Sequence, residues 1–355
     1  MHHFDFKRLE NITDIAQELG CTTNFLEFVI DHPDSFYNRL LIPKKRSNEH
    51  RIVYEVDDKL KNLHKNILIS ISVKVCFPEY VQGFVPKRSI VTNASLHLAK
   101  KYLLNLDVKD FFESIKIEKV TDIFIELGCN NAVANVFAQL CTFNKCLVQG
   151  ANTSPILANL VCKELDKDLV AVATDYDCSY SRYADDITFS GETLPKKKKI
   201  ESCIKKYGFN LNPDKYKIQS RGKAQYVTGL TVFDQEMPRI PKQIKRKLRQ
   251  KLYYMNKYGL LDHAAKVLIQ EDTLTEFLNV DGWIAFMYSV EPDYAYRFDI
   301  IWQAVLTKSG FKRSRDPSKI MDKLQVQKKI VDSTSSDHSS QEIKNINQVD
   351  QPITL

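Results

Sequence analysis

Three aspartates are spaced so that they could bind metal ions and act on phosphate esters. Asp185 and Asp186 are adjacent, and short β-prone runs over 178–183 and 187–190 flank them, so the sequence predicts a tight hairpin with both acids at its tip. Two neighbouring carboxylates repel each other, and a divalent cation with oxygen ligands removes that cost. A solvated Asp-Asp turn is the alternative for an isolated pair, but a third acid upstream argues against it.

The third acid is Asp107, which follows the apolar run 102–106. Such a run is typical of a strand that is covered on both faces. Because an unpaired buried carboxylate is costly, we expect Asp107 to face Asp185 and Asp186 from a neighbouring strand. Three converging carboxylates can hold two Mg²⁺ ions about 3.5–4 Å apart, which is the arrangement for in-line phosphoryl transfer. The sequence therefore predicts a two-metal site, with Mn²⁺ as the alternative ion.

These acids, with the segment Gln149-Gly150-Ala151-Asn152-Thr153-Ser154-Pro155 between them, resemble the palm of reverse transcriptases. The resemblance covers about residues 36–310 and implies an α+β, right-hand polymerase fold: fingers, a ferredoxin-like βαββαβ palm and a helical thumb. It also implies an RNA-directed DNA polymerase. The implied domains are an N-terminal helical segment (1–35), fingers and template-contacting segment (36–100), a palm (101–240) with a finger insertion at about 117–148, a thumb (241–328) and a disordered tail (329–355).

The resemblance assigns basic residues to the incoming deoxynucleoside triphosphate. Lys44 and Arg51 lie in a predicted hairpin over 42–53 and would hold its phosphates, Arg51 as a fork and Lys44 as a point charge. An exposed hairpin with solvated charges is the alternative. Lys215 would lie near the leaving pyrophosphate.

Two uncharged residues complete the implied nucleotide site. Phe112, five residues after Asp107, would lie under the sugar, where its bulk excludes a 2′-hydroxyl. Packing in the core is the alternative for this ring. Gln149 precedes a predicted helix with Ser154 as its N-cap and Pro155 in its first turn, and the positive end of that helix would point at the nucleotide.

Two further motifs resemble signatures of bacterial retron reverse transcriptases. Asn93-Ala94-x-x-His97 follows a helix cap at Ser89, so that Asn93 and His97 would share one helical face. Val227-Thr228-Gly229 lies in a predicted short strand interrupted by glycine, where a backbone can approach closely. A surface detail of a helix is the alternative for the Asn–His pair.

The retron resemblance implies a specific reaction and specific partners. The enzyme would bind its cognate structured non-coding RNA, start DNA on an internal 2′-hydroxyl and yield a branched RNA–DNA product. Asn93, His97 and the Val227–Gly229 motif would contact that RNA, since Asn and His can bond ribose hydroxyls and splayed bases. An antiphage role with an effector protein is also implied.

A strongly basic helix is predicted over residues 241–258. This stretch holds seven Lys or Arg residues and no acid. Such a face repels itself unless an anion lies along it, so Lys245, Arg246 and Arg249 are predicted to contact the phosphates of a template–primer duplex.

The remaining chain narrows the class of protein. Lys and Arg exceed Asp and Glu by 51 to 44, which favours a polyanionic partner without requiring one. Eight cysteines without a Cys-x-x-Cys pair indicate reduced thiols and a cytoplasmic protein, and no membrane segment is predicted.

Two short helices over 12–20 and 24–31 predict a helical hairpin docked on the main body, with a DNA-binding helix-turn-helix as the alternative.

Two alternatives to the retron interpretation stay open. One is another bacterial reverse transcriptase, of the group II intron or diversity-generating type, that starts from a 3′-hydroxyl. The other is a non-catalytic RNA-binding protein that keeps the palm only as a scaffold, against which the intact Asp107, Asp185 and Asp186 argue. An RNA-dependent RNA polymerase more often has Gly before the acidic pair, where this chain has Ala184.

Overall fold

A computed structural model describes residues 3–44, 49–260 and 273–310. The chain divides into two compact units, one that ends at Arg239 and one that begins at Ile240. The first unit is α+β, and the described part of the second is helical. The predicted tail over 329–355 and residues 45–48 of the predicted hairpin lie outside the described residues.

The first unit contains nine described α-helices and eight described strands. The helices are α1 (Ile12–Leu19), α2 (Thr23–Asp31), α3 (Asp58–Ser72), α4 (Ile90–Ser95), α5 (Ile117–Glu126), α6 (Asn131–Cys141), α7 (Ser154–Val161), α8 (Lys163–Asp175) and α9 (Lys197–Lys206). The strands are β1 (Tyr37–Pro43), β2 (His50–Val56), β3 (Tyr102–Asp107), β4 (Ser179–Tyr183), β5 (Asp186–Gly191), β6 (Lys217–Ser220), β7 (Tyr226–Val227) and β8 (Leu230–Thr231).

A four-stranded antiparallel sheet, in the order β4-β5-β3-β6, lies at the centre of this unit. Helices α5 to α8 connect β3 to β4, and α9 connects β5 to β6, so the chain follows the βαββαβ path that the sequence predicts. The hairpins β1–β2 and β7–β8 form separate two-stranded sheets.

The central sheet has one apolar and one polar face. Leu104 pairs with Phe189 and Leu106 with Ile187, and all four side chains are buried in a core shared with α7 and α8. The alternate residues point to the opposite face. There, polar side chains are buried, namely those of Thr188, Ser181, Ser190 and Gln219.

The N-terminal helices confirm the predicted pair. Helix α1 begins with a capping box at Asn11, and α2 is capped by Thr22. The apolar seam of the pair, represented by Leu19 and Leu26, is buried in the core of the first unit. This placement agrees with a docked helical hairpin.

Two local predictions are wrong. The helix after Gln149 has Thr153 at its N-cap, without a side-chain cap bond, and Ser154 is its first residue. The segment 227–232 is not one interrupted strand, because β7 and β8 pair as a hairpin.

The second unit contains α10 (Lys242–Tyr258), α11 (Thr273–Val290) and α12 (Pro292–Lys308). Leu248, Leu252 and Met255 of α10 are buried. Phe277 of α11 packs on Trp302 of α12 with ring centroids 5.2 Å apart. Among the residues that the structure describes, no helix is long and apolar enough to cross a lipid bilayer.

Candidate active site

The three predicted aspartates meet at one end of the central sheet. Asp107 is the last residue of β3 and pairs with Asp186, the first residue of β5. Ala184 lies at the tip of the β4–β5 hairpin with a positive φ of 58°, and the backbone N–H of Val108 donates to the carbonyl of Asp185 over 3.0 Å. The hairpin is therefore confirmed, and the three acids lie at the same end of the sheet.

The electrostatics of this end are those of crowded carboxylates. Burial, followed by the charges of Asp186 and Asp107, raises the pKa of Asp185 to about 7. Desolvation of the carboxylate and the charge of Asp107 raise the pKa of Asp186 to about 6, and the charge of Lys215 opposes this shift. The predicted pyrophosphate ligand Lys215 forms an ion pair with Asp107, and the amide of Asn212 donates to Asp107 Oδ1 over 3.4 Å.

The donor set suits a divalent cation. Asp185 and Asp186, whose pKa values are raised in part by the charge of Asp107, gain most from a hard cation with oxygen ligands. In the described ranges, no three His, Cys, Asp or Glu side chains already surround a point that an ion could occupy. The ammonium of Lys215 lies against Asp107, where a metal ion would bind. Binding of the ion would therefore require the Lys215 side chain to move.

A buried ion pair, which the sequence analysis did not identify, supports the hairpin from the helix side. The guanidinium of Arg182 donates to both carboxylate oxygens of Asp166 in α8, over 2.8 and 2.7 Å, and both side chains are at most 1 % exposed. It also donates to the carbonyl of Ala184 over 3.2 Å and to Asn159 Oδ1 over 3.0 Å. The available signal was a charged residue two positions after Tyr180, in phase with the apolar side of the strand.

A segment next to the hairpin tip supports it from the edge of the sheet. The backbone of Arg182 donates to the carbonyl of Tyr80 and accepts from Gln82, over 2.8 and 2.7 Å. A Cβ at Gly83 would overlap the backbone nitrogen of Ala184, so only glycine allows this close approach. The family resemblance places this stretch in the template-contacting segment, and no local pattern predicts its contact with the hairpin.

The predicted triphosphate ligands lie on the β1–β2 hairpin. Lys44 forms an exposed ion pair with Glu49 at 2.7 Å, and Arg51 is exposed opposite Ile42. Lys44 is therefore paired within its own hairpin, and Arg51 is directed to solvent.

The β1–β2 hairpin is attached to the loop that carries Gln149. The backbone N–H of Tyr54 donates to the carbonyl of Gln149 over 2.8 Å. Gly150 has φ of 110°, and a Cβ there would overlap the carbonyl oxygen of Tyr54. Three of the predicted nucleotide ligands, Lys44, Arg51 and Gln149, thus belong to one connected piece.

Phe112 lies at the border of the core. It is 9 % exposed, and its ring centroid is 5.3 Å from that of Phe111 and 6.1 Å from that of Phe84. This position accommodates both core packing and contact with a sugar, so the role of Phe112 as a sugar gate stays a prediction.

The predicted helical face of Asn93 and His97 does not exist. Helix α4 ends at Ser95, so His97 lies after it, and the two side chains are 1 % and 0 % exposed. The ring nitrogens of His97 bond Ser190 and Ser181 over 2.7 and 2.8 Å, and Ser181 donates to Asn93 Oδ1 over 2.7 Å. The prediction that Asn93 and His97 contact RNA directly is therefore wrong, because their polar groups are buried and hydrogen-bonded within the protein.

In the Val227–Gly229 motif, Val227 ends β7, and Thr228 and Gly229 form a two-residue turn that leads into β8. Val227 is buried, and Gly229 is exposed. Thr228 and Gly229 have φ of 44° and 85°, the signs of a type I′ turn. Asn93 Nδ2 donates to Thr228 Oγ1 over 3.4 Å, so the structure brings the two motifs together.

The basic helix α10 has acidic partners of its own. Lys245 forms an ion pair at 2.7 Å with Glu291, whose side chain is 4 % exposed, so the prediction of Lys245 as a free phosphate ligand is corrected. Arg249 donates to the hydroxyl of Tyr294 over 2.7 Å, and this contact is exposed. Arg246 is exposed as well.

Comparisons with known proteins bear on this site. Residues 42–255 match the reverse transcriptase (RNA-dependent DNA polymerase) family. The Retron Mx65 reverse transcriptase of Myxococcus xanthus is 31% identical over 316 residues, which cover 80% of this chain and 69% of the relative. The Retron Ec86 reverse transcriptase of Escherichia coli is 30% identical over 290 residues, which cover 80% of this chain and 85% of the relative.

Proposed function

The chain belongs to the bacterial retron reverse transcriptases and is an RNA-directed DNA polymerase, and from this premise we propose that it copies one cognate structured non-coding RNA. DNA synthesis starts from an internal 2′-hydroxyl of that RNA and yields a branched RNA–DNA, the msDNA. The observation that carries the proposal is the meeting of Asp107, Asp185 and Asp186 at one end of the sheet.

We propose that these three aspartates hold divalent cations, with Mg²⁺ as the ion and Mn²⁺ as its alternative. The ions would lower the pKa of the attacking hydroxyl and neutralise charge on the leaving pyrophosphate. Asp107 is fixed by β3, and Asp185 by its bond to Val108, so the protein supplies a preset geometry. When a triphosphate enters, Lys215 exchanges its ion pair with Asp107 for contact with the phosphates.

The right-hand division follows from the same premise. We assign the central sheet and α7–α9 to the palm, α5 and α6 to the finger insertion within it, the β1–β2 hairpin to the fingers and the helices from α10 onward to the thumb. Arg51, Lys44 and Gln149 then contact the incoming nucleotide, and Phe112 contacts its sugar. The shared attachment of the hairpin and the Gln149 loop supports this grouping.

Nucleic-acid contacts are proposed for exposed groups only. Arg246 and Arg249 on α10 are open to solvent and would bind duplex phosphates. Gly229 exposes backbone at the β7–β8 turn, where a primer strand or a splayed nucleotide of the cognate RNA could approach closely.

A test combines copying with analysis of the linkage. The protein is expressed with its neighbouring non-coding RNA, and the nucleic acid that copurifies is sequenced and treated with a debranching enzyme. We expect DNA that the enzyme releases from the RNA. If the protein makes only linear, 3′-primed DNA on every template offered, including its cognate RNA, the retron reaction is overturned in favour of another reverse transcriptase type, and no DNA at all would favour a non-catalytic scaffold.

An antiphage role, with an effector protein as partner, extends the proposal. It predicts that cells carrying the complete gene cluster resist phage infection and that Asp185→Asn removes the resistance. Equal plaque counts for the two strains would contradict this extension without affecting the polymerase assignment.

A further inference from the structure

A continuous chain of side-chain hydrogen bonds lies under the hairpin that carries the catalytic acids. It runs from Ser190 through His97, Ser181 and Asn93 to Thr228, with donor–acceptor distances between 2.7 and 3.4 Å. Thr228 then donates to the carbonyl of Ile90 over 3.2 Å. The chain thus connects both strands of the hairpin to α4 and to the β7–β8 turn.

The direction of every bond in this chain can be assigned. The single hydroxyl proton of Ser181 goes to Asn93 Oδ1, so Ser181 accepts from His97, and the proton of the ring must be on Nε2. Nδ1 is then an acceptor and takes the hydroxyl proton of Ser190. The ring is neutral, because burial, with a smaller effect of Lys100, lowers the pKa of His97 to about 3.

The hydrogen-bond chain lies close enough to the acids to control their position. Ser181 lies four residues before Asp185, and Ser190 lies four residues after Asp186. The cross-strand pairs Ser181–Thr188 and Tyr183–Asp186 place Ser181 and Ser190 on the sheet face that bears Asp186. His97 therefore connects the two strands on the same face as the reacting groups.

Thr228 provides an independent observation. A β-branched residue at φ of 44° is strained, and Asn or Gly is the usual residue at such a turn position. Strain of this kind persists where surrounding contacts impose it. The Thr228 hydroxyl both accepts from Asn93 and donates to Ile90, and neither Gly nor Ala could supply those bonds.

We infer that Asn93, His97 and Thr228 are positioning residues for polymerisation, which hold the hairpin of Asp185 and Asp186 in register with Asp107 through Ser181 and Ser190. This inference rests on the proposed polymerase site and differs from direct RNA recognition by the two motifs. A shift of about 1 Å at a reacting group can cost about 100-fold in rate, so loss of one bond is expected to reduce the turnover number.

The kinetic test uses a generic primed template that lacks the cognate RNA. His97→Ala, Ser181→Ala and Thr228→Gly are compared with Ser95→Ala, which removes an exposed hydroxyl from α4 that bonds only the carbonyl of Val91. We expect kcat to fall about tenfold or more in the three variants, with KM for the nucleotide within about twofold, and no change for Ser95→Ala. Wild-type kcat on the generic template, with loss only on the cognate RNA, would overturn the inference.

Thr228→Gly separates positioning from folding. Glycine relieves the positive φ, so we expect little loss of thermal stability together with reduced kcat. Normal kcat in this variant would show that Thr228 serves the turn alone.

The tautomer of His97 gives a test that does not depend on activity. In ¹⁵N-histidine-labelled protein, we expect a neutral ring protonated on Nε2 at pH 6. A ring protonated on Nδ1, or charged at that pH, would overturn the hydrogen-bond chain. If the wild-type protein makes no DNA on the generic template or on its cognate RNA while the tautomer is as expected, the proposed function fails and the hydrogen-bond chain stands.

Discussion

The two faces of the central sheet are held by different interactions, although the same strands form both. Leu104, Leu106, Ile187 and Phe189 pack on helices through apolar contact, which is non-directional and tolerates substitutions that conserve volume. The opposite face is polar and is held by hydrogen bonds, for example from Asn105 Nδ2 to the carbonyl of Tyr226 over 2.8 Å. Hydrogen bonds require specific angles and distances, so the polar face sets geometry and the apolar face sets stability.

The acids lie where these two kinds of packing meet. Asp186 belongs to the polar face through its pairing with Tyr183, and Arg182 of the same hairpin belongs to the helix side. The ion pair of Arg182 with Asp166 is the charged exception within the apolar layer, and it reaches the hairpin tip through the carbonyl of Ala184. The comparison of the two faces can be tested at each of these points.

The largest effect is expected at the acids. Asp185→Asn keeps the shape of the side chain and removes the charge that would bind a cation, so DNA synthesis should fall by about three orders of magnitude or more. Thermal unfolding gives a second readout, because the rise in melting temperature on adding Mg²⁺ should be lost. Asp110→Asn, an exposed acid in the same segment, is the control. Wild-type extension by Asp185→Asn would remove this residue from the site.

The next effect is expected at the buried ion pair. Asp166→Ala leaves the Arg182 guanidinium buried without a charge partner, which costs about 3–5 kcal/mol in the free energy of unfolding. The double change Arg182→Met with Asp166→Leu should cost far less, since it removes both charges. Urea unfolding measures both. A loss below about 1 kcal/mol for Asp166→Ala would show that water already reaches the pair.

The same comparison separates what the sequence could predict from what it could not. The hairpin and the strand that ends in Asp107 follow from local patterns, namely β-prone runs around turn residues and a continuous apolar run, and both were predicted. Asn93 and His97 were assigned to a surface, because polar residues near a helix end usually lie there. Their burial depends on Ser181 and Ser190, which are distant in sequence and carry no local signal.

The error at Lys245 has the same origin. The stretch 241–258 contains no acid, so local charge predicted an external anion. Glu291, the partner of Lys245, lies 46 residues away at the N-cap of α12. The sequence thus could not predict which charged and polar residues pair with each other in the folded protein.

A smaller effect is expected from the two buried histidines when the pH is lowered. Burial lowers the pKa of His64 to about 4 and that of His97 to about 3. Below about pH 6.5, both histidines bind protons in the unfolded chain but not in the folded chain. Each histidine therefore lowers the free energy of unfolding as the pH falls toward its pKa in the folded protein. The slope reaches about 1.4 kcal/mol per pH unit for each group.

Because the crowded carboxylates titrate with the opposite sign, the difference between two proteins is more informative than one profile. His64 bonds the carbonyl of Leu140 in the apolar core over 2.8 Å, and His64→Gln should flatten the stability profile between pH 4 and 6.5. Urea unfolding at several pH values checks this. Parallel profiles for the wild type and the variant would mean that His64 is charged in the folded state.

The smallest effect comes from a matched pair of substitutions on the opposite faces of β5. Ile187→Val and Ser190→Ala each remove one heavy atom, the first from the apolar face and the second from the polar face. Ile187→Val should reduce the free energy of unfolding by about 0.5–1.5 kcal/mol and leave kcat on a primed template unchanged. Ser190→Ala should cost a similar amount of stability but should also reduce kcat, because His97 loses its donor at Nδ1. Equal effects of both variants on kcat would mean that the two faces do not divide stability and geometry between them.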